Sequence, residues 1–394
     1  MKFEVTIAAV AVCLTSVALS APNGDRPDDR HAWGVHDENR PNPVEISAEE
    51  GQVPSDAIVL FDGTQKSIDE HWCDAKGNPT KWMLKDGLFY CVPKSGMAYA
   101  RDLVEDCQIH LEFRIPENPG PGLGNSGVFV HSIYELQILH SYRNLNSYHP
   151  VPPWKQANYA DGQLGAVYGQ NPPIVNPARD AGKWQSLDIV FHPARWDGER
   201  LVEAASVTAF LNGVLIQDNW KLEGPTYYVK RTQHDSLKEP TLNRALALQD
   251  HGHPVPFRNI WLRKIPSRNA NTVHGGDYFN PADAAKLRSE LAAKTLKLAE
   301  GADNPANRLV WLWESYMYER NDAVKAKIDA LTPQYVARIS AWQGEISAEL
   351  RKELSNMSGF VGMGIRCGMF TEDDALVKAV RSALANTKSA VTHY

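Results

Sequence analysis

The pattern of hydrophobic and polar residues divides the chain into two main regions. In residues 55–267, short apolar runs with alternating polar positions are separated by turn signals, a pattern typical of β-strands. Asp86-Gly87 and Asn212-Gly213 each stand between two such runs and predict tight hairpins. Because no helical periodicity intervenes, this region predicts a mainly β fold, an antiparallel β-sandwich or barrel.

In residues 281–394, the hydrophobic residues recur at helical spacing. A helix-forming stretch after Pro281 is expected to stop at Gly301. Aromatic residues cluster in residues 309–320, where their helical spacing favours core or a docking face over a sugar-stacking platform. We expect a small helical bundle, with helices opened by four polar caps: Asn280-Pro281, Asn304-Pro305, Thr332-Pro333 and the capping-box-like pair Thr371 and Asp374.

The first 21 residues resemble a secretory signal peptide. They hold one Lys and an apolar run that ends in small residues, with cleavage expected near Ala21. The run is short for a membrane span, and no other stretch is long enough. We therefore expect export to the periplasm or the medium, without a membrane span in the mature chain.

The composition fits a globular protein divided into segments. Hydrophobic residues make up 43% of the 394 residues, which is enough for a real core. The net charge is -6 and no basic block is present, which argues against a nucleic-acid partner. We predict a signal peptide in residues 1–21, an extended lead-in in 22–54, the β-sandwich in 55–266, a linker in 267–280 and the helical bundle in 281–394.

Four cysteines remain after the predicted signal peptide. They allow three complete disulfide pairings, and buried free thiols are equally compatible with a domain of this size. Their spacing matches no zinc template. The sequence leaves their state open: Cys73, Cys91, Cys107 and Cys367.

Polar side chains interrupt two apolar strands at alternating positions. Gln249 and His251 are expected to share one sheet face, about 7 Å apart, while Asp250 points the other way. Glu135 and Gln137 alternate with apolar neighbours in the same manner. A solvated face is the alternative for either strand alone. Together they supply proton transfer and amide hydrogen bonding, which suit a hydroxyl-rich ligand such as a sugar.

Other candidate groups lie in turns and loops. Asn125 ends a glycine-rich turn that lacks the features of a phosphate loop. Gln163 and Tyr168 belong to a segment that is either a rim loop or ordinary turns. Arg258 either clamps a ligand or pairs with Asp250. A divalent metal is compatible with the residue types but is indicated by no spacing motif, so no cofactor is assigned.

Five stretches, in order, resemble the 3-keto-disaccharide hydrolase family. The resemblance covers residues 55–266 and implies a concanavalin A-like jelly roll whose concave sheet face holds the sugar. The family motifs Glu-x-Gln and Leu-Gln-x-His-Gly fall on the four residues that alternation selects. The chain departs from the family pattern at His131 and His140. The stretches are "YELQIL", "YADGQLGAVYGQNPP", "GKWQSLDIVF", "VTAFLNGVLIQ" and "LALQDHGHPVPFRNIWLRKI".

The resemblance implies cleavage of 3-keto-glycosides by elimination and hydration. Glu135 and His251 are then the base and the acid in either order, and Gln137, Gln249 or a divalent cation stabilises the oxyanion. The remaining candidates for substrate binding are Asn125, Gln163, Tyr168, Arg258 and His131.

Two other functions fit the same residues. A non-catalytic lectin-like module would favour an exposed aromatic platform. A conventional glycoside hydrolase would place a second carboxylate roughly 5 to 10 Å from Glu135.

Overall fold

A computed structural model describes most of the chain, which divides into two compact units. The β unit comprises residues 45–267, and the helical unit comprises residues 1–44 and 268–394. The predicted signal peptide (1–21) and linker (267–280) lie outside the described residues, and the predicted lead-in is divided between the two units. The structure describes residues 25–29, 31–40, 42–120, 122–144, 159–235, 244–265, 281–342 and 346–389.

The β unit is built from antiparallel strands, as expected. One short helix, α1 (Gln65–His71), follows the first strand, and its N-cap Thr64 accepts a hydrogen bond from the Ser67 N–H. The strands are β1 (Ile58–Phe61), β2 (Trp72–Cys73), β3 (Met83–Lys85), β4 (Leu88–Tyr90), β5 (Ala98–Leu103), β6 (Cys107–Arg114), β7 (Ser126–Val130), β8 (Tyr134–Ile138), β9 (Trp184–His192), β10 (Arg195–Asp197), β11 (Arg200–Glu203), β12 (Ser206–Leu211), β13 (Val214–Lys221), β14 (Ala245–Leu248) and β15 (Pro256–Lys264).

These strands form two large sheets and one small ribbon. The eight-stranded sheet runs in the order β13-β12-β9-β6-β15-β4-β3, with β1 also paired to β15. The five-stranded sheet runs in the order β2-β5-β14-β7-β8, and β10 pairs with β11. Side chains from both large sheets share one apolar core, so the predicted sandwich is confirmed.

Both predicted hairpins are confirmed. Asp86-Gly87 joins β3 to β4 and Asn212-Gly213 joins β12 to β13, and all four residues have positive φ. Two positive φ values in succession match the twist of the flanking strands, which is why Asn-Gly and Asp-Gly suit these turns. Strand β6 alternates buried and half-buried residues along its whole length, as its sequence predicts.

The helical unit contains five described helices. The first ends at Glu300, just before Gly301, as predicted, and Asn304 caps the second by accepting from the N–H groups of Ala306 and Asn307. No described helix is long and apolar enough to cross a membrane. The helices are α2 (Pro281–Glu300), α3 (Pro305–Tyr318), α4 (Asp322–Ser340), α5 (Ala348–Arg366) and α6 (Ala375–Ser389).

The predicted helix start at Thr332-Pro333 is wrong. Helix α4 begins at Asp322, where the Asn321 side chain accepts the N–H groups of the first turn, and Pro333 lies inside the helix. Val324 and Ile328 before the proline and Tyr335 and Ile339 after it are all buried in the core of the helical unit. Pro333 cannot donate a backbone hydrogen bond, so one bond of the helix is missing. The burial of this continuous apolar face stabilises the helix in spite of that loss.

The aromatic cluster of α3 belongs to the core of the helical unit. Trp311, Trp313 and Tyr316 pack against that core, and Trp313 makes edge contacts with Tyr316 and Phe370. The core or docking interpretation is thus supported over a sugar platform. All four described cysteines are free thiols.

Candidate active site

The face of the five-stranded sheet that points away from the core carries the candidate site. On β8, Tyr134, Leu136 and Ile138 enter the core, and Glu135 and Gln137 therefore point from the opposite face. The predicted alternation on this strand is confirmed. The two polar residues are nevertheless 5% and 2% exposed, so they do not belong to an ordinary solvated face.

Strand register brings Gln249 beside these two residues. Gln137 is the cross-strand partner of Gly127 on β7, and the Gln249 N–H donates to the Gly127 carbonyl from the other side, at 2.9 Å. The side chain of Glu135 lies over Gly127, because a Cβ atom there would come within 2.5 Å of Glu135 Oε1. The two polar segments therefore converge on one sheet face, as predicted, and glycine at position 127 provides the space.

Tyr168 joins the cluster from a loop that pairs with the free edge of β8. The Gln137 N–H donates to the Ala166 carbonyl, and the Tyr168 N–H donates to the Glu135 carbonyl at 3.0 Å. Tyr168 is thus the neighbour of Glu135 in this extension of the sheet. Its hydroxyl lies 3.0 Å from the hydroxyl of Tyr159, and burial together with this contact raises the pKa of Tyr168 well above its usual range. The phenol stays protonated near neutral pH and can donate to an anion.

Glu135 is the group that titrates in this cluster. Burial raises the pKa of its carboxyl to about 8, because the low-dielectric surroundings disfavour the charged form. Within the described residues, its carboxyl has no hydrogen-bond or ion-pair partner, although its backbone N–H donates to Thr226 Oγ1. A carboxyl with a pKa near 8 can both accept and donate a proton near neutral pH.

Three amide groups of the segments that carry or adjoin this face have unused hydrogen-bonding capacity. The side-chain oxygens of Asn125, Gln137 and Gln249 are buried and find no partner within the described chain. Asn125 precedes β7, while Gln249 follows β14, and these antiparallel strands bring both residues to the same end of the sheet. Native proteins rarely leave buried polar atoms unpaired, so these acceptors suit donors that a ligand brings, such as sugar hydroxyls.

His251 does not share a strand face with Gln249, so that prediction is wrong. Strand β14 ends at Leu248, and His251 is exposed in the turn that follows. The Asp250 carboxylate accepts from the Gly252 N–H, and Gly252 has a φ of +83°, so the chain turns at His251. Among the described contacts, none joins His251 to Glu135. The Asp250 carboxylate also accepts from the Gly96 N–H.

Two further candidates lie apart from the cluster. His131 is buried at the far end of β7, where its Nε2 donates to the Val104 carbonyl at 2.6 Å and its ring packs edge-on against Phe191. Arg258 lies on the eight-stranded sheet and binds Glu112, with Nη2 2.6 Å from the carboxylate. The pairing of Arg258 with Asp250 that the sequence suggested is therefore not formed.

Gln163 lies at the edge of the cluster, and His140 is engaged in a structural contact. Gln163 is in the loop that pairs with β8, and its amide oxygen accepts from Asn176 at 3.4 Å. His140 Nε2 lies 3.2 Å from the Asp180 carboxylate. This hydrogen bond, with the Ala181 N–H, lowers the pKa of Asp180. His140 thus has an acidic partner from the loop before β9.

The described residues do not assemble a metal site of the usual ligand types. Nowhere in that part of the chain do three His, Cys, Asp or Glu side chains come close enough to hold an ion. In the cluster, Glu135 supplies one carboxylate and the neighbouring groups are amides, which equally fit sugar hydroxyls. A cation is therefore assigned to no set of residues.

Sequence reasoning missed the tyrosines beside the cluster. Tyr159 contacts Tyr168, and Tyr228 lies near enough to contribute to the raised pKa of Tyr168. Tyr159, Tyr227 and Tyr228 are 57%, 53% and 78% exposed. The adjacent tyrosines in "GPTYYV" were the available signal, but strand alternation does not select a loop.

Similarity to solved structures identifies the class of the β unit. It is similar to a protein of Parabacteroides distasonis described as a "putative glycosyl hydrolase", with 30% identity and a TM-score of 0.50 over 57% of this chain and 93% of that one. A second protein of that organism with the same description is 18% identical over 53% of this chain and 94% of that one, with a TM-score of 0.37. The first likeness identifies a glycosyl hydrolase-like, carbohydrate-active jelly roll.

The family follows from the sequence match. Residues 56–263, more than half of the chain, match the model of the 3-keto-alpha-glucoside-1,2-lyase-like domain. The chain belongs to this family. No curated protein sequence matches it.

Proposed function

We propose that the β unit cleaves 3-keto-glycosides by elimination followed by hydration, with Glu135 as the proton-transfer group. One observation carries the proposal: a buried carboxyl with a pKa raised to about 8 lies among amide oxygens that have no partner in the described chain. The family membership is in accord with such a substrate.

The proposed reaction needs one base and one stabilised oxyanion. The ketone at carbon 3 acidifies the proton on carbon 2, so ionised Glu135 removes that proton and the electron pair forms an enolate. The enolate re-forms the ketone, the pair becomes a bond between carbons 1 and 2, and the aglycone leaves with the proton returned by Glu135. Water then adds hydroxide to carbon 1 and a proton to carbon 2, and the net result is hydrolysis.

Neighbouring groups support this assignment. The phenol of Tyr168, protonated near neutral pH and level with Glu135, can donate to the enolate oxygen. Gln137 and Gln249 can accept from sugar hydroxyls through their unpaired oxygens. A conventional glycosidase needs two carboxyls across the bond, whereas Glu135 is the one carboxylate on this face of β7, β8 and β14.

The test uses paired substrates and a paired variant. The purified protein is incubated with a 4-nitrophenyl 3-keto-glucoside and with its unoxidised parent, with and without chelator. We expect release of nitrophenol from the keto sugar only, with kcat/KM rising with pH through about 8 as Glu135 ionises. Glu135→Gln should lower kcat/KM for this release by about 10³-fold. Equal turnover of both sugars would contradict the proposal. Loss of turnover with chelator would show that the reaction also requires a cation.

The second candidate function is sugar binding without turnover. It is favoured by the exposed Tyr159, Tyr227 and Tyr228 beside the same face, since aromatic rings stack on sugars. Saturable binding of the parent glucoside, weakened in Tyr228→Ala and without turnover of any keto sugar, would support the lectin-like function instead.

We also propose that the protein is exported. The signal-like residues 1–21 support this. Mass spectrometry of the protein from its expressing cells should find a mature N-terminus near position 22, and a chain that begins at Met1 would contradict export.

A further inference from the structure

A cavity lies in the β unit, away from the face that carries Glu135. It measures about 490 Å³, within the range of small-molecule sites. Its apolar walls include Tyr90 and four prolines, Pro93, Pro116, Pro254 and Pro256. Tyr90 and Pro256 are paired residues of β4 and β15, so this cavity belongs to the edge of the eight-stranded sheet.

Two cations on the cavity wall have no anionic partner in the described chain. Lys85 lies 5.9 Å from the ring centre of Tyr90, and Arg114 lies 5.1 Å from that of Trp184. Other arginines of the same sheet are paired: Arg258 with Glu112, and Arg263 with Asp56. Lys85 and Arg114 thus lack the carboxylate partners that Arg258 and Arg263 have.

One carboxylate reduces this charge without cancelling it. Glu117 also lines the cavity, so the wall carries Lys85, Arg114 and Glu117, with a formal net charge of one positive unit. An anion with an apolar body complements such a wall, because its charge meets the two cations while its body contacts proline and tyrosine.

The cavity walls are held rigidly. The Cys91 N–H donates to the Val255 carbonyl at 3.1 Å, which ties the segment before Pro93 to the segment between Pro254 and Pro256. Prolines restrict the backbone on both sides. The space is therefore preformed, which lowers the entropic cost of binding a rigid ligand.

We propose that this cavity binds a flat aromatic carboxylate, whose negative charge is attracted by the positive wall to which Lys85 and Arg114 contribute. A bicyclic ring fits within the cavity volume and lies against Tyr90 and the prolines. This site is independent of the reaction proposed for Glu135, and its occupant is a small molecule distinct from the sugar.

The test compares charged and neutral probes of one shape. Binding of 1-naphthoate and of the neutral 1-naphthalenemethanol is measured by isothermal titration calorimetry on the full chain. We expect one saturable site for the naphthoate and at least about tenfold weaker binding of the alcohol, as for the loss of a charge-assisted hydrogen bond. Lys85→Gln and Arg114→Gln should each weaken the naphthoate about tenfold, and Glu117→Gln should tighten it.

Control variants separate this site from general charge and from the sugar site. Lys264→Gln removes a positive charge at an exposed position that does not line the cavity, and Glu135→Gln alters the other face. Both should bind the naphthoate as the unmodified chain does. Absence of saturable binding, equal affinity for the two probes, or unchanged affinity in Lys85→Gln and Arg114→Gln would each overturn the proposal, whatever the turnover of keto sugars.

Discussion

The β unit and the helical unit each bury a glutamate, and the surroundings of these two side chains differ. Glu135 of the β unit and Glu314 of the helical unit are 5% and 1% exposed, and burial raises the pKa of each carboxyl to about 8. Asn39 donates to Glu314 Oε1, which partly offsets the effect of burial, whereas the Glu135 carboxyl has no such donor among the described residues. A raised pKa is therefore common to both and does not by itself mark a site.

The neighbours of the two glutamates make the difference clearer. Around Glu314, Tyr318 donates to the Asp37 carboxylate at 2.6 Å, and Asn39 donates to the Tyr318 oxygen at 2.9 Å. These hydrogen bonds connect Asp37 and Asn39 to Tyr318 of α3. Around Glu135, the amide oxygens of its neighbours remain unpaired. The first network joins Glu314, Asn39, Tyr318 and Asp37 and leaves Glu314 Oε2 without a partner among the described residues, whereas the amide oxygens around Glu135 lack any partner until a ligand enters.

The largest expected effect is on turnover. Glu135→Gln should lower kcat/KM for a 3-keto-glucoside by about 10³-fold, within the 10²–10⁴-fold range of general acid-base groups. Glu314→Gln, which removes a carboxyl of the same pKa from the other unit, should leave it within about twofold. Initial rates at pH 8 with circular dichroism of both variants decide this. If the two variants lose activity equally, the distinction between the glutamates is wrong.

The second effect is the pH dependence of stability, which should be shared by both glutamates. Each carboxyl has a pKa raised from 4.5 to about 8 on folding. The folded state therefore holds the proton more tightly, and this contribution is complete below pH 4.5 and lost as the pH rises through 8. Glutamine cannot ionise, so both variants should gain on the order of a few kcal/mol over the unmodified chain at pH 9, with little difference at pH 4.5.

Urea unfolding at the two pH values measures this gain. Gln137→Asn retains an amide on β8 and serves as a variant without a titrating change. A gain that is the same at both pH values would show that the substitution acts through packing and not through the raised pKa.

Local sequence patterns predicted the surroundings of Glu135 better than the surroundings of Glu314. Period-two alternation is a local property, so the common face of Glu135 and Gln137 could be predicted from β8 alone. The bond between Asn39 and Glu314 joins residues 275 positions apart, and no local pattern contains it. Tyr168 is similar, because its place beside Glu135 depends on a loop pairing with a sheet edge.

The two errors have a common physical cause. At His251, the bond from the Gly252 N–H to the Asp250 carboxylate ends the strand before the alternation does. At Pro333, a cap twelve residues earlier and a continuous buried face override the signal that proline gives. In both cases a specific hydrogen bond or the packing of the whole element outweighs a residue-level preference.

The third prediction concerns one side-chain amide in each unit. Its substitution should lower stability in the helical unit and weaken sugar binding in the β unit. Asn39→Ala breaks its bonds to Glu314 and Tyr318 and should lower the free energy of unfolding by about 1–3 kcal/mol without changing turnover. Gln249→Leu removes an oxygen that has no partner, so it should leave stability unchanged or raise it while weakening keto-sugar binding about tenfold.

Urea unfolding and the KM of each variant separate these outcomes, with Asn39→Asp retaining one oxygen as a milder change. A loss of stability in Gln249→Leu as large as in Asn39→Ala would mean that Gln249 supports the fold and is not held ready for a ligand.

The smallest expected effect tests whether the helical unit affects chemistry at all. Asn321 caps α4 by accepting from the N–H groups of Ala323 and Val324, at 3.0 and 3.2 Å. Asn321→Ala leaves both donors without this acceptor and should lower the free energy of unfolding by about 1 kcal/mol, whereas Asn321→Asp keeps the cap and should be nearly neutral. Neither variant should change kcat/KM, because the groups proposed to act on the sugar all belong to the β unit. A matching fall in turnover and stability in the alanine variant alone would show that the helical unit contributes to the reaction, and the contrast between the two glutamates would then need revision.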